Sequence, residues 1–285
     1  MKISSNKAVA TAAILAITAA FWCGCHTVPQ TGRKQVLVLP EAQEIAMGVS
    51  AYEETLATEP LSQNAALVEM VNRVGRRIAS AADRPDYQWE FVVLQKDEPN
   101  VFCLPGGKVA VYEGILPICQ TEAGLAVVMS HEVAHALARH GGERMSQGLI
   151  SDSIEQVVRI GTADRSEADR AKVMQAYGAV SQYGVLLPYS REHESEADSI
   201  GLNLMAKAGY DPAEAPRFWQ RFAAMHTTAQ PIEFMSTHPS DMRRAEALEA
   251  QLSAAQELYA QASEQFGIGE QIPVTSLASH TAEQK

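Results

Sequence analysis

The stretch from Ala123 to Leu137 is built largely of Ala, Leu and Val, yet it contains His131, Glu132 and His135, which an apolar helix does not bury without reason. Positions four apart on an α-helix differ by about 40° in rotation, so His131 and His135 project from one face, with Glu132 beside it. Leaving these groups dry and unbound would cost on the order of a few kcal/mol. A bound zinc ion removes that cost, because neutral imidazole ligates it and the carboxylate can take a proton from water at the ion. The alternative is a pair of satisfied core histidines with a surface glutamate.

A catalytic zinc site needs a third protein ligand and one open position. His140 is the nearest candidate, but it lies five residues beyond His135, about 140° around the helix. It reads as a cap or an outer partner near the helix C-terminus. Glu155 and Glu167 sit on polar helices without a partner acid. Glu194 and Asp198 are four apart on one face, in Glu194-Ser195-Glu196-Ala197-Asp198. In that pattern Glu194 ligates metal and Asp198 orients a ligand histidine. Glu192 and Glu196 are expected in solvent.

The chain start differs from the rest. Lys2 and Lys7 precede an uncharged run from Ala8 to Trp22, about the length of a signal-peptide apolar region and short of the roughly 20 residues that span a bilayer. Gly24 then Cys25 resembles a bacterial lipoprotein signal over residues 1–24, with Cys25 exposed for lipidation. Trp22 departs from that signal and leaves Cys23 as an alternative. An uncleaved anchor and a plain secretory signal also stay open. All three place the body outside the cytoplasm. Loss of Lys2 and Lys7 leaves 21 basic against 34 acidic residues, net −13, with no basic cluster. That excludes dedicated nucleic-acid binding and electrostatic attachment of the whole chain to anionic lipid. Cys103 and Cys119 remain, as a disulfide or as two buried thiols.

Residues 25–40 read as a tether without a core. Helical periodicity covers Glu41 to about Leu56 and Gln63 to about Ala82; aromatic and β-branched runs mark strands at Tyr87–Leu94 and Val109–Tyr112. Helices then follow over Glu122 to about His140, Ser146–Ile160, Glu167 to about Tyr183, Arg191–Ala208, Pro212–Met225 and Pro239 to about Phe266. Residues 267–285 read as a disordered tail. The expected architecture is one α+β domain over 41–266, predominantly α-helical, with a small sheet.

The HEVAH and ESEAD strings, with Asn100-Val101-Phe102 and Pro105-Gly106-Gly107-Lys108 upstream, resemble metallopeptidase family forty-eight, a gluzincin family. The resemblance runs from Thr27-Val28-Pro29 and Thr31-Gly32-Arg33 to about Ala247. Without a series of long hydrophobic segments, it is to the soluble periplasmic lipoprotein branch. It implies a zincin-like domain, its sheet beside the His-Glu-x-x-His helix, with one Zn2+ per chain on His131, His135 and Glu194, and with Glu132 as general base. The implied activity is endoproteolysis of misfolded or unassembled cell-envelope proteins. An edge strand within Asn100–Tyr112 would pair with substrate backbone, placing Asn100, Phe102, Gly106, Gly107 and Lys108 at the peptide. Thr237-His238-Pro239 with Arg244 matches an element near the metal. There His238 either latches the zinc or caps the next helix, and His238 or Arg244 stabilises the oxyanion. Implied partners are unfolded proteins, the membrane through the lipid on Cys25, and envelope assembly machinery. His26 after Cys25 favours the outer membrane. The rival function is an assembly factor or chaperone that uses the same groove with little proteolysis. A purely structural zinc site is disfavoured, since the ligands are not a closed Cys/His set of four.

Overall fold

The computed structural model describes residues 24–182, 187–224 and 242–273. The signal segment with Cys23, the His238 loop and the tail from residue 274 lie outside the described residues. The chain divides into two compact units, Met1–Gln43 with Arg139–His193, and Glu44–Ala138 with Glu194–Lys285. Among the described residues no helix is long and apolar enough to cross a membrane.

The second unit holds the sheet and the histidine helix. Helix α1 (Glu41–Thr58) enters it, and α2 (Ala65–Ala82) follows, its first turn capped by the Asn64 side chain accepting from the Leu67 N–H. The α2 stripe of Leu67, Met70, Val71, Val74 and Ile78 is buried, as its spacing predicts. Gly75 lets α2 lie close on the sheet, since a Cβ there would come within 2.4 Å of the Phe91 ring. Strands β3 (Glu90–Leu94), β4 (Val101–Leu104) and β5 (Lys108–Tyr112) form a sheet in the order β3-β5-β4, with β3 parallel and β4 antiparallel to β5. Periodicity indicates only the first and last of these. At four residues between turn-forming segments, β4 is too short to show alternation.

After the short α3 (Leu116–Cys119) comes α4 (Glu122–Leu137), buried at every residue, as befits a sequence apolar nearly all round. Thr121 Oγ1 accepts from the Gly124 N–H at 3.1 Å. The two preceding helical amides, Glu122 and Ala123, donate to the Glu270 and Ile268 carbonyls at 2.9 and 3.0 Å. Residues 267–273 are therefore not the start of a disordered tail. They supply acceptors that the first turn of a helix lacks, and Ile272 is buried with them. The expected final helix is two, α9 (Met242–Glu249) and α10 (Leu252–Ala260), with no Gly or Pro to announce the break. Before them stand α7 (Leu187–Lys207), whose second half belongs to this unit, and α8 (Glu214–Ala224).

In the first unit, the expected tether is a hairpin of β1 (Cys25–Thr27) and β2 (Lys34–Val36), with Val28 and Leu37 buried. Gly32, at φ +77°, makes the turn, and Arg33 reaches the buried Glu143 at 2.7 Å. Alternation cannot reveal strands of three residues. Helix α5 spans His140–Gly161 and α6 spans Glu167–Ser181. Arg139, at φ +57°, ends the preceding helical run, so His140 opens α5 instead of closing α4. It is buried and stacks on the His193 ring at 4.2 Å, so it is not a terminal cap.

Candidate metal centre and active site

Helices α4 and α7 bring together the side chains that their spacing singled out. His131 and His135 point their Nε2 atoms toward each other, 3.1 Å apart. The Glu194 carboxylate meets both, Oε2 at 3.3 Å from His131 Nε2 and Oε1 at 3.4 Å from His135 Nε2. All three are buried, and their ligand atoms lie within 4.8 Å of one another. Tetrahedral ligands about 2.0–2.1 Å from zinc stand roughly 3.3 Å apart, so the separations and the donor set suit that ion. Close approach of the helices permits this convergence. A Cβ on Gly201 of α7 would lie 3.0 Å from the His131 amide nitrogen.

Outside these three lies a layer of charge. Asp198 Oδ1 is 3.1 Å from His131 Nδ1, which fixes the ring so that Nε2 faces the site. Arg244 of α9 grips the same carboxylate through two bonds, Nε to Oδ2 at 2.8 Å and Nη2 to Oδ1 at 2.7 Å. Its Nη1 lies 3.4 Å from Glu194 Oε2. Burial disfavours an imidazolium at His131, but Asp198 and Glu194 outweigh it and raise the metal-free ring from 6.5 to about 9. Burial likewise disfavours the Asp198 carboxylate, and Arg244 with His131 overcomes it, leaving that group below its ordinary value. The spacing reading missed Trp219 of α8. Its ring lies 3.6 Å under the Arg244 guanidinium and meets the His131 ring edge-on at 5.6 Å. A lone Trp on an amphipathic helix carries no sign of such a role.

Glu132 is also buried, on the helix that packs against β4. Burial pushes the Cys103 thiol of β4 well up, and the Glu132 carboxylate adds to the effect. Cys103 and Cys119 are both free thiols. Since Tyr112 N–H donates to the Asn100 carbonyl at 3.0 Å, alternation along the ladder turns the backbone of Val101 and Cys103 to the outer edge. Asn100 Oδ1 already accepts the Val101 N–H at 2.9 Å. Phe102 packs edge-on against Tyr112, 6.3 Å between rings. Gly106 and Gly107 make the β4–β5 turn, at φ +90° and +86°. Lys108 is buried, its ammonium bonded to the Gln88 carbonyl at 2.9 Å and paired with Glu90, so that charge is used within the fold. Glu192 is exposed as expected; Glu196 is buried, contrary to expectation, because its part of α7 packs into the second unit. His238 lies outside the described residues.

A family model described as peptidase family M48 matches residues 65–252. The chain belongs to that family. It is thereby placed among the metal-dependent peptide hydrolases. This M48 peptidase is 36% identical over 233 residues to the mitochondrial metalloendopeptidase OMA1 of Schizosaccharomyces pombe, covering 80% of this chain and 67% of that protein. It is 37% identical over 181 residues to the Saccharomyces cerevisiae protein of the same name, covering 61% and 50%. To the β-barrel assembly-enhancing protease of Escherichia coli K12 it is 26% identical over 254 residues, covering 88% and 52%. The M48 peptidase thus spans about half to two thirds of the length of these three relatives.

Proposed function

We propose that the protein is a zinc-dependent endopeptidase of the cell envelope, held by a lipid on Cys25, that hydrolyses peptide bonds of misfolded or unassembled proteins. The observation that carries the reading is the convergence of His131, His135 and Glu194, two of them on the helix that also carries Glu132 and packs against the edge strand β4. His131, His135 and Glu194 hold one zinc. Zinc supplies a Lewis acid that activates water and polarises the scissile carbonyl. Glu132 takes the proton of the attacking water on its carboxylate and returns it to the leaving amine. Asp198 holds His131 in the ligating orientation, and Arg244 holds Asp198. The Cys103 backbone edge pairs with an extended, unfolded segment, a recognition that reads main chain and suits substrates without one sequence.

The envelope setting rests on the basic, then apolar, then cysteine-bearing start of the sequence, and on likeness to a relative named for β-barrel assembly. That relative's name also favours a second reading, an assembly factor that holds client strands and cuts rarely. Cleavage of unfolded casein by the purified chain and by Glu132→Gln, with zinc content measured in both, separates the two. The peptidase reading expects one zinc per chain in each and a loss of about 10²–10⁴ in rate for the variant. Equal cleavage by both would sink it.

A further inference from the structure

The sheet has a second edge, formed by β3 on the far side of β5 from β4. Glu90 N–H donates to the Gly107 carbonyl at 2.9 Å, so alternation along β3 turns the N–H and C=O of Phe91 and Val93 away from β5. The chain itself covers part of that edge. Ser62 N–H donates to the Val93 carbonyl and Gln95 N–H to the Pro60 carbonyl, both at 2.8 Å, and Leu61 bridges to Leu94. Asn64 then caps α2 and the chain turns into that helix, so the outward groups of Phe91 have no partner among the described residues. An uncovered stretch of strand edge is a template for another extended segment.

A cleft of about 420 Å³ opens at this point, a volume in the range of small-ligand sites. Phe91 lines it together with Tyr52 of α1 and with Asn72, Arg76 and Ala79 of α2, which spacings of four and three put on one helix face. Arg76 is exposed and makes no ion pair among the described residues, whereas its neighbours Arg73 and Arg77 are both engaged by Glu122. The Tyr52 hydroxyl is buried without a hydrogen-bond partner among the described residues. Burial, with the Glu90 carboxylate adding to it, raises that group to about 12, so it is a donor in want of an acceptor. Glu90 also lines the cleft, but its charge is paired with Lys108. An unpaired guanidinium and a phenolic donor call for a carboxylate, and an uncovered main chain calls for extended backbone. One ligand meets both demands.

We propose that this cleft is a peptide-binding site apart from the metal centre, taking an extended chain whose backbone pairs with Phe91 and whose carboxylate is held by Arg76 and Tyr52. It lies two strand spacings, roughly 10 Å, from the β4 edge. The test follows, by fluorescence anisotropy, a labelled hexapeptide of alternating threonine and valine binding to the full chain carrying Glu132→Gln, which keeps the peptide whole. Three forms are compared: one with a free C-terminal carboxylate, its C-terminal amide, and an amide whose last residue is aspartate. The free acid should bind about tenfold tighter than the plain amide, and Arg76→Gln should erase that difference. Tyr52→Phe should weaken binding of the acid while the urea midpoint holds or rises, because it deletes a hydroxyl that the fold leaves unpaired. Cys103→Pro, at the other edge, should change none of this. An aspartate amide that binds like the free acid brings acidic side chains among the ligands; one that binds like the plain amide confines them to chain ends. Either supports the site. Equal binding of acid and amide, or a difference that survives Arg76→Gln, overturns the proposal. Binding lost in Cys103→Pro but kept in Arg76→Gln seats the peptide on β4 and overturns it as well.

Discussion

Arg244 clasps Asp198 through two bonds, 2.8 and 2.7 Å long, and Asp198 in turn stands 3.1 Å from the Nδ1 of His131. The orientation of a metal-site histidine on α4 thus depends on an arginine 113 positions later in the chain. Arg244→Met would remove the buried guanidinium that pairs with Asp198 and Glu194, leaving two carboxylates against the single charge of His131, and the zinc-free protein should lose about 3–5 kcal/mol in urea unfolding. Arg244→Lys should recover only part of that, since an ammonium cannot make the parallel pair of bonds. A stable Arg244→Met protein would contradict this account.

Asp198→Asn keeps the shape but removes the charge that fixes His131. Zinc affinity, measured against a chelator, should fall by about 10–100-fold with far-ultraviolet circular dichroism unchanged. Unaltered affinity would show that Asp198 serves packing alone.

Zinc affinity should also depend on pH. The metal-free His131 is raised from 6.5 to about 9, so its proton stabilises the metal-free fold fully below 6.5, and that contribution is lost as pH climbs through about 9. Zinc must displace this proton. Its apparent affinity should therefore rise about tenfold per pH unit across that window, with close to one proton released in calorimetry in buffers of different ionisation heat. Affinity that stays flat between pH 6.5 and 8 would mean that His131 is already neutral there.

Cys103→Pro removes an outward N–H from β4 at an edge position, where proline is tolerated. Peptide KM should rise about tenfold, the worth of one hydrogen bond, with zinc content and unfolding midpoint nearly unchanged. An unchanged KM would remove backbone pairing at this residue from the mechanism.

Gly201→Val places a branched side chain where a Cβ is already 3.0–3.1 Å from the His131 backbone. Overpacking of about 1–3 kcal/mol should appear in unfolding, together with weaker zinc binding as α7 is pushed from α4. Loss of stability with full zinc affinity would separate helix packing from the site.

The local part of the site was legible because it is periodic. Four-residue spacing puts His131 with His135, and Glu194 with Asp198, on single helix faces whatever surrounds them, and an all-apolar α4 has to be buried. Spacing by itself also left Glu155 and Glu167 as competitors of Glu194. Glu167 proved exposed, and the half-buried Glu155 pairs instead with Arg159 on its own helix. Three-residue strands at Cys25–Thr27 and Lys34–Val36, and the four-residue β4, are too short to carry a period of two. Residues 267–273 look like tail because their order comes from amides on α4, which no nearby residue announces.

By itself, then, the sequence determined the ligand types, their helical register and the buried character of α4, since these follow from backbone geometry within one element. Tertiary structure decided that Glu194 meets the two histidines, that Arg244 and Trp219 stand behind them, and that Lys108 is spent inside the fold. Those are distances between elements far apart in the chain. They follow from which glycines permit close approach and which buried charges must find partners.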